Sequence, residues 1–191
     1  VSIVSHKVQT TRARLRAIFM EGSAQVIVVD TPGIFDPKRK LDEAMVENAW
    51  SGSAEADVTV LLADARLERN DDVMRIIDGL KKNGTKALLV LNKVDLLRRE
   101  VLLEISKRFN EAYEFSDTFM ISALKGSGVD DLRKKIAGLM PAGPWLYPED
   151  QAADVQMRFM ASEVTREKIY LRLHEELPYS STVETETWEE R

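Results

Sequence analysis

Two apolar runs, DVTVLLA (57–63) and KALLVL (86–91), limit most tightly what this chain can fold into. Each is nearly continuous in apolar side chains, the pattern of a strand covered on both faces. Between them, residues 70–83 carry Val73, Ile76, Ile77 and Leu80 at helical spacing, with Asn70 near the N-cap and Gly84 just past the end. The alternation continues. Residues 97–113 place Leu102, Ile105 and Phe109 along one helical face, 118–121 (TFMI) form a short strand, and 128–139 carry Val129, Leu132, Ile136 and Leu139 on one stripe. Upstream, 14–20 (RLRAIFM) and 25–30 (QVIVVD) are β-like, joined by Glu21-Gly22-Ser23-Ala24 as a hairpin. Residues 42–54 have a weaker helical pattern through Ala44, Met45, Ala49 and Trp50. The predicted class is α/β, a mainly parallel sheet with helices on both faces.

After Met140 the pattern breaks. PAGPWLYPEDQAADVQ holds three of the six prolines and reads as a linker. Residues 158–177 are then amphipathic through Phe159, Val164, Ile169, Leu171, Leu173 and Leu177, and Pro178 stops the helix. YSSTVETETW alternates with period two and reads as a strand of mixed faces. A helix and one strand cannot close a core, so this second unit reads as incomplete. The chain also opens on VSIVS without a cap and closes on WEER, the look of a chain cut at both ends. The expected organisation is 1–141, a linker over 142–157, and 158–191.

The 191 residues suit one domain with a small appendage. There is no cysteine, which excludes disulfides, thiolate metal sites and a cysteine nucleophile. His6 and His174 stand alone, without metal-ligand spacing. No apolar stretch reaches the roughly 18 residues of a membrane span, and the N-terminus lacks a signal-peptide pattern. The net charge of −5 gives no hint of nucleic-acid binding, although 6–16 (HKVQTTRARLR) is locally basic and the end, VETETWEER, is mostly acidic.

Ligands of open α/β sheets sit beyond the carboxyl ends of the strands. Three polar groups lie there: Asp30-Thr31-Pro32-Gly33, Asn92-Lys93-Val94-Asp95 and Ser122-Ala123-Leu124. Each alone is an ordinary turn composition; together, on one edge, they suggest one site. A carboxylate accepts two adjacent donors at once, and guanine presents such a pair at N1–H and N2–H2 while adenine does not. Asp95 is placed for that contact. Asn92 can bridge loops or meet the base's Hoogsteen edge, the stem of Lys93 can cover the base plane, and Ser122-Ala123 can offer a backbone N–H to O6. A strand-terminal carboxylate such as Asp30 holds Mg²⁺ in nucleoside triphosphatases. Gly33 would bring its N–H close to a terminal phosphate, where a side chain would clash. Thr10 and Thr11 supply hydroxyls for Mg²⁺, and the residues leave open which of the two ligates it.

In this order V-x-x-Q-T-T-R, D-T-P-G, N-K-V-D and S-A-L resemble the GTPases of the TrmE–Era group. QMRFMASEVTREKIYLRLHEELPYS (156–180) resembles the linker and first helix of the KH domain in the Era family. The resemblance covers essentially the whole chain. It implies a P-loop NTPase-like G domain lacking its first strand and phosphate loop, followed by the start of an α+β KH domain. It implies GTP and GDP as ligands with Mg²⁺, and slow GTP hydrolysis coupled to binding of small-subunit (16S) rRNA during assembly of the 30S subunit. It also implies a monomer in the cytoplasm with peripheral association to the inner membrane. Carried over by residue, Thr10, Thr11 and Gly33 are the catalytic candidates and Asp30 with Thr11 the metal ligands. Asp30, Thr31, Pro32, Gly33, Asn92, Lys93, Asp95, Ser122 and Ala123 are the nucleotide-binding residues. Ile34 follows Gly33 where Ras-like proteins have a water-orienting Gln, which implies slow intrinsic hydrolysis.

No stretch of the chain matches the phosphate loop G-x-x-x-x-G-K-[ST] or the KH backbone clamp G-x-x-G; ALKGSGVDD (123–131) has glycines but falls in the first unit. These residues alone are therefore expected to hydrolyse GTP weakly. Two other readings compete: an RNA-binding assembly module with a vestigial nucleotide site, and a P-loop ATPase of another branch. Asn92-Lys93-Val94-Asp95 weighs against the second.

Overall fold

The computed structural model describes residues 15–31, 50–51, 53, 55–67, 71–173, 181–187 and 189. Strand β1 (Leu15–Glu21) turns at Gly22-Ser23 into β2 (Ala24–Asp30), antiparallel, with Leu15 opposite Asp30 and Glu21 opposite Ala24. A two-residue hairpin turn needs positive φ at its first position, and Gly22 supplies it at 59°. Strands β3 (Thr59–Asp64), β4 (Ala87–Asn92) and β5 (Thr118–Met120) form a parallel sheet in that order. Helices α1 (Asp71–Asn83) and α2 (Arg99–Ala112) are the crossovers, and α3 (Val129–Leu139) follows β5. Gly84, left-handed at φ 61°, closes α1 while Thr85 N–H donates to Leu80 O at 3.1 Å.

Residues Ala87–Leu91 of β4 are all buried, as expected of a central strand. Ala87, Leu89 and Leu91 meet Leu61 and Ala63 of β3, Ile77 and Leu80 of α1, and Ile105 and Phe109 of α2 in one apolar cluster. Burying side chains of this size contributes about 1.5–3 kcal/mol each. β3 differs from the sequence reading. Leu61 and Ala63 are buried, but Val60 and Leu62 are 38% and 60% exposed. Among the described residues β3 pairs with β4 alone and β2 with β1 alone. Both strands line a cleft of about 330 Å³ together with Ile136 and Met140.

Of the helix expected over 42–54, Trp50, Ser51 and Ser53 are helical and the rest lies mostly outside the described residues. Trp50 packs on the core across Gly79, where an added Cβ would stand 2.2 Å from the indole. The N-cap expected at Asn70 lies outside the described residues. Helix α3 starts at Gly128, left-handed at φ 73°, where a Cβ would come within 2.6 Å of Met120 O. Gly128→Ala is expected to destabilise by about 1–3 kcal/mol, from strain and from backbone that cannot move aside. Thermal melts check this; an unchanged midpoint would mean the turn relaxes freely.

The expected linker is docked rather than loose. Ile18 N–H donates to Ala152 O and Asp154 N–H to Arg16 O, extending the hairpin along the free edge of β1. The Gln25 amide clamps the same segment. Its Oε1 accepts from Leu146 N and Tyr147 N at 2.9 and 3.0 Å, and its Nε2 donates to Tyr147 O at 2.8 Å. The Asp154 carboxylate accepts from Tyr147 Oη and Arg16. Gln25→Ala removes three bonds and is expected to cost about 2 kcal/mol at about 0.5–1.5 each. Faster proteolytic cleavage within 145–153 reads out that release; an unaltered cleavage rate would show that the β1 pairing suffices.

Helix α4 runs from Met157 to Arg172 and reaches an extended Leu173; the rest of the expected run, to Leu177, lies outside the described residues. Its buried side chains are not the expected apolar set. Val164 and Leu171 are exposed, whereas Glu163, Arg166 and Tyr170 are buried. Arg166 Nε and Nη2 donate to the two Glu163 oxygens at 2.8 and 2.6 Å, and the guanidinium lies 5.2 Å from the Tyr170 ring centroid. Burial pushes the Arg166 pKa down, but the Glu163 bonds more than offset it, and Arg166 stays cationic. The strand expected at 179–188 is not formed in its described part: residues 181–187 carry no ladder, and Thr185 Oγ1 donates to Arg158 O at 2.9 Å.

Candidate nucleotide site

The parallel register sets Asp64 opposite Asn92, so the C-terminal ends of β3 and β4 come level. Ala65 N–H donates to Asn92 O at 2.9 Å, locking the two ends together. β5 delivers Ser122 and Ala123 to the same edge; Ile121 N–H donates to Leu91 O, and Val94 N–H to Ile121 O.

Asn92 Oδ1 accepts from Lys93 N–H at 2.7 Å and from Ala123 N–H at 3.0 Å. Two backbone donors on that atom assign the amide orientation. Nδ2 is thereby left as the donor end of the amide. Lys93 is the one non-glycine residue with positive φ, 66°, among the described residues. Its Nζ lies 2.8 Å from Asp64 Oδ2. Asp64 also accepts from the Arg66 backbone N–H at 3.0 Å and, in a forked contact, from Arg66 Nε and Nη2.

Asp95, in the short 3₁₀ turn Val94–Leu96, is held by the Ser122 hydroxyl and by Lys125 Nζ at 3.5 Å from Oδ2. The Ser122 hydrogen bond, and then the Lys125 charge, hold its carboxyl below the ordinary carboxylate range. Arg66 and then Lys93 do the same to Asp64. Both groups bind protons less readily folded than unfolded. Their stabilisation is present above the ordinary value of 3.8 and is lost as pH falls through the depressed folded values. Stability is therefore expected to hold from neutrality to about pH 4 as far as these two groups are concerned, and to fall below it. In Asp64→Asn the fall below pH 4 should shrink; an identical acid limb in urea titrations would remove Asp64 from that account.

The sequence-predicted base residues Asn92, Lys93, Asp95, Ser122 and Ala123 are thus joined in one bonded cluster. The N–H groups of Ser122 and Ala123 are engaged within the protein, by Ser127 O and Asn92 Oδ1, so this loop holds Asn92 and Asp95 in place rather than presenting those donors. Asp30 and Thr31 end β2 at its C-terminus. Thr10, Thr11, Pro32 and Gly33 lie outside the described residues, as does Ile34. Among the described residues no group of three or more His, Asp or Glu could hold a metal, and no helix is long and apolar enough to cross a membrane. Asp64, Arg66 and Lys125 escaped the sequence reading. The signal for Asp64 was its place after the run VTVLLA, the same strand-end position as Asp30.

The family model described as "50S ribosome-binding GTPase" matches residues 1–93. The GTPase Era of Brucella suis biovar 1 (strain 1330) is 57% identical over 191 residues, covering 100% of this chain and 61% of that protein. The chain spans about three fifths of the length of such curated relatives. Among solved structures, an Aquifex aeolicus Era variant bound to GDP·AlF4⁻ superposes with a TM-score of 0.87 at 35% identity, covering 94% of this chain and 62% of that one. Era in complex with MgGDPNP and nucleotides 1506–1542 of 16S ribosomal RNA superposes at 0.88, also at 35% identity and with the same coverage. The fold is that of a P-loop GTPase G domain.

Proposed function

The chain belongs to the Era family of GTPases, and from that premise we propose that it is the base-reading and switch portion of a GTP-dependent ribosome-assembly factor. The observation that carries this reading is the bonded cluster of Asn92, Lys93, Asp95 and Ser122 at the ends of β4 and β5. Asp95, ionised at neutral pH, accepts from N1–H and N2–H2 of guanine, and Asn92 Nδ2 donates to the Hoogsteen edge. GDP, GTP and Mg²⁺ are the expected ligands, as in the relatives' structures. Asp30 and Thr11 would hold the metal, which neutralises phosphate charge when bound. Thr10, Thr11 and Gly33 would face the γ-phosphate. With Ile34 in place of a water-orienting Gln, hydrolysis to GDP and phosphate is slow.

In this reading residues 1–141 are G domain, 142–157 linker and 158–191 the start of a KH domain that contacts 16S rRNA on the 30S subunit. The protein works as a monomer in the cytoplasm, peripheral to the inner membrane. The 191 residues by themselves hydrolyse GTP weakly, since none of them supplies the phosphate-loop Lys. A vestigial nucleotide site is the second reading.

The test is a GDP titration, with ADP as competitor, of the 191-residue chain and of the chain extended at Val1 by a relative's G-x-x-x-x-G-K-[ST] segment. Binding of GDP that ADP does not displace, in either preparation, supports the guanine site. No binding in both would leave the vestigial reading, and equal displacement by ADP would revive the ATPase.

A further inference from the structure

The strand-end carboxylate of β3 has no part in the reading above, yet it is the most heavily bonded side chain at this edge. Asp64 Oδ1 accepts from Arg66 N–H and Nε, both at 3.0 Å. Its Oδ2 accepts from Arg66 Nη2 at 2.7 Å and Lys93 Nζ at 2.8 Å. The carboxylate is only 16% exposed, while the Arg66 and Lys93 side chains are 47% and 45% exposed. The pair reaches across two strand ends from residues 29 apart in sequence.

Lys93 reaches Asp64 from a left-handed backbone that is unfavourable for an L-residue. Ion pairs this exposed contribute too little to be retained for stability alone. What the pair does supply is direction. The Lys93 stem is held at its Cα by the αL turn and at its tip by Asp64. A flexible four-carbon chain becomes a fixed apolar strip beside Asn92 and Asp95.

Resting on the guanine-nucleotide reading, we propose that Asp64, oriented by Arg66, is a positioning residue that pins Lys93 as one wall of the base pocket. Asp64 touches no ligand itself. It removes in advance the rotamer freedom that Lys93 would lose on base binding. Arg66 presents a rigid fork that fixes the carboxylate plane, which a lysine at that position would not.

The test measures GDP dissociation in whichever preparation binds GDP in the titration above. Asp64→Ala is expected to speed release about tenfold and Arg66→Ala about threefold. Lys93→Met keeps the stem and loses the ammonium, and is expected to release GDP at a rate similar to Asp64→Ala. In the Lys93→Met background Asp64→Ala should add nothing, whereas a merely structural Asp64 would add its full effect there. Asp64→Asn, which keeps the shape but offers one acceptor oxygen where the carboxylate has two, serves where Asp64→Ala fails to fold and should fall between wild type and Asp64→Ala. Wild-type release rates in Asp64→Ala and Asp64→Asn, with GDP binding lost in Asp95→Asn, would overturn the positioning role and leave the guanine site standing. GDP binding unaffected by Asp95→Asn would overturn the guanine site itself.

Discussion

Asp95→Asn is expected to lower GDP affinity by at least about 10³-fold and to create affinity for xanthosine diphosphate. A site built to match a ligand's hydrogen bonds rejects a mismatched partner by about 10⁴–10⁵. The Asp95 carboxylate is acceptor-only and stays ionised, because Ser122 and Lys125 favour its charged form. An Asn of the same shape presents one acceptor and one donor. Its donor then opposes the guanine amine, and an unmade buried bond is added to the lost one. Xanthine has a carbonyl where guanine has that amine, so it accepts what guanine rejects. The Ser122 hydroxyl still holds the Asn side chain, and the pocket keeps its form. Competition between the two diphosphates on wild type and variant measures the exchange. GDP binding left intact would sink the role of Asp95. Loss of GDP without gain of the xanthine nucleotide would mean that the base is read in another geometry.

Glu163→Ala is expected to cost about 3–5 kcal/mol. Arg166 is only 6% exposed in its side chain, and its Nη1 already lacks a partner. Taking away the carboxylate leaves a buried cation beside the Tyr170 ring. At 2–4 °C per kcal/mol for a chain of this size, the midpoint falls by on the order of 10 °C. The double replacement Glu163→Met with Arg166→Met should recover most of the loss, because neither desolvated charge remains. Urea unfolding with amide exchange over 163–172 separates the outcomes. A loss below about 1 kcal/mol would show that solvent reaches Arg166.

That ion pair also marks where the sequence could not be read. The period of α4 was legible, but the face was not. Apolar Val164 and Leu171 stand exposed, while Glu163 and Arg166 are buried because each satisfies the other. Neutralised pairs escape any rule that scores residues singly. β3 shows a related limit: an apolar run reveals a strand but not whether its second face is covered, and Leu62 is not. The alternation of strands and helices from β3 to α3 was legible because periods of two and 3.6 separate them cleanly. Asn92 and Asp95 were legible because strand ends on one edge define a site. Asp64 and Arg66 were not, since an Asp after a strand is an ordinary turn residue until the register sets it beside Asn92. Nor can composition reveal that Gln25 will hold backbone 121 residues away.

That separation has a consequence for the order of assembly. Joining Gln25 to Leu146 closes a loop of 121 residues, an entropy cost that scales to roughly 4 kcal/mol before any constant. The hairpin β1–β2 closes through a two-residue turn, and each crossover of the parallel sheet spans one helix. Those contacts form cheaply and early, whereas the clamp has nothing to close upon until both its strand and the sheet beyond it exist. Its bonds are few and partly solvent-exposed, so it also opens at the lowest cost. Residues 145–154 are thus expected to settle after the sheet and to release before it, which gives this segment a cooperativity of its own, separate from that of the sheet.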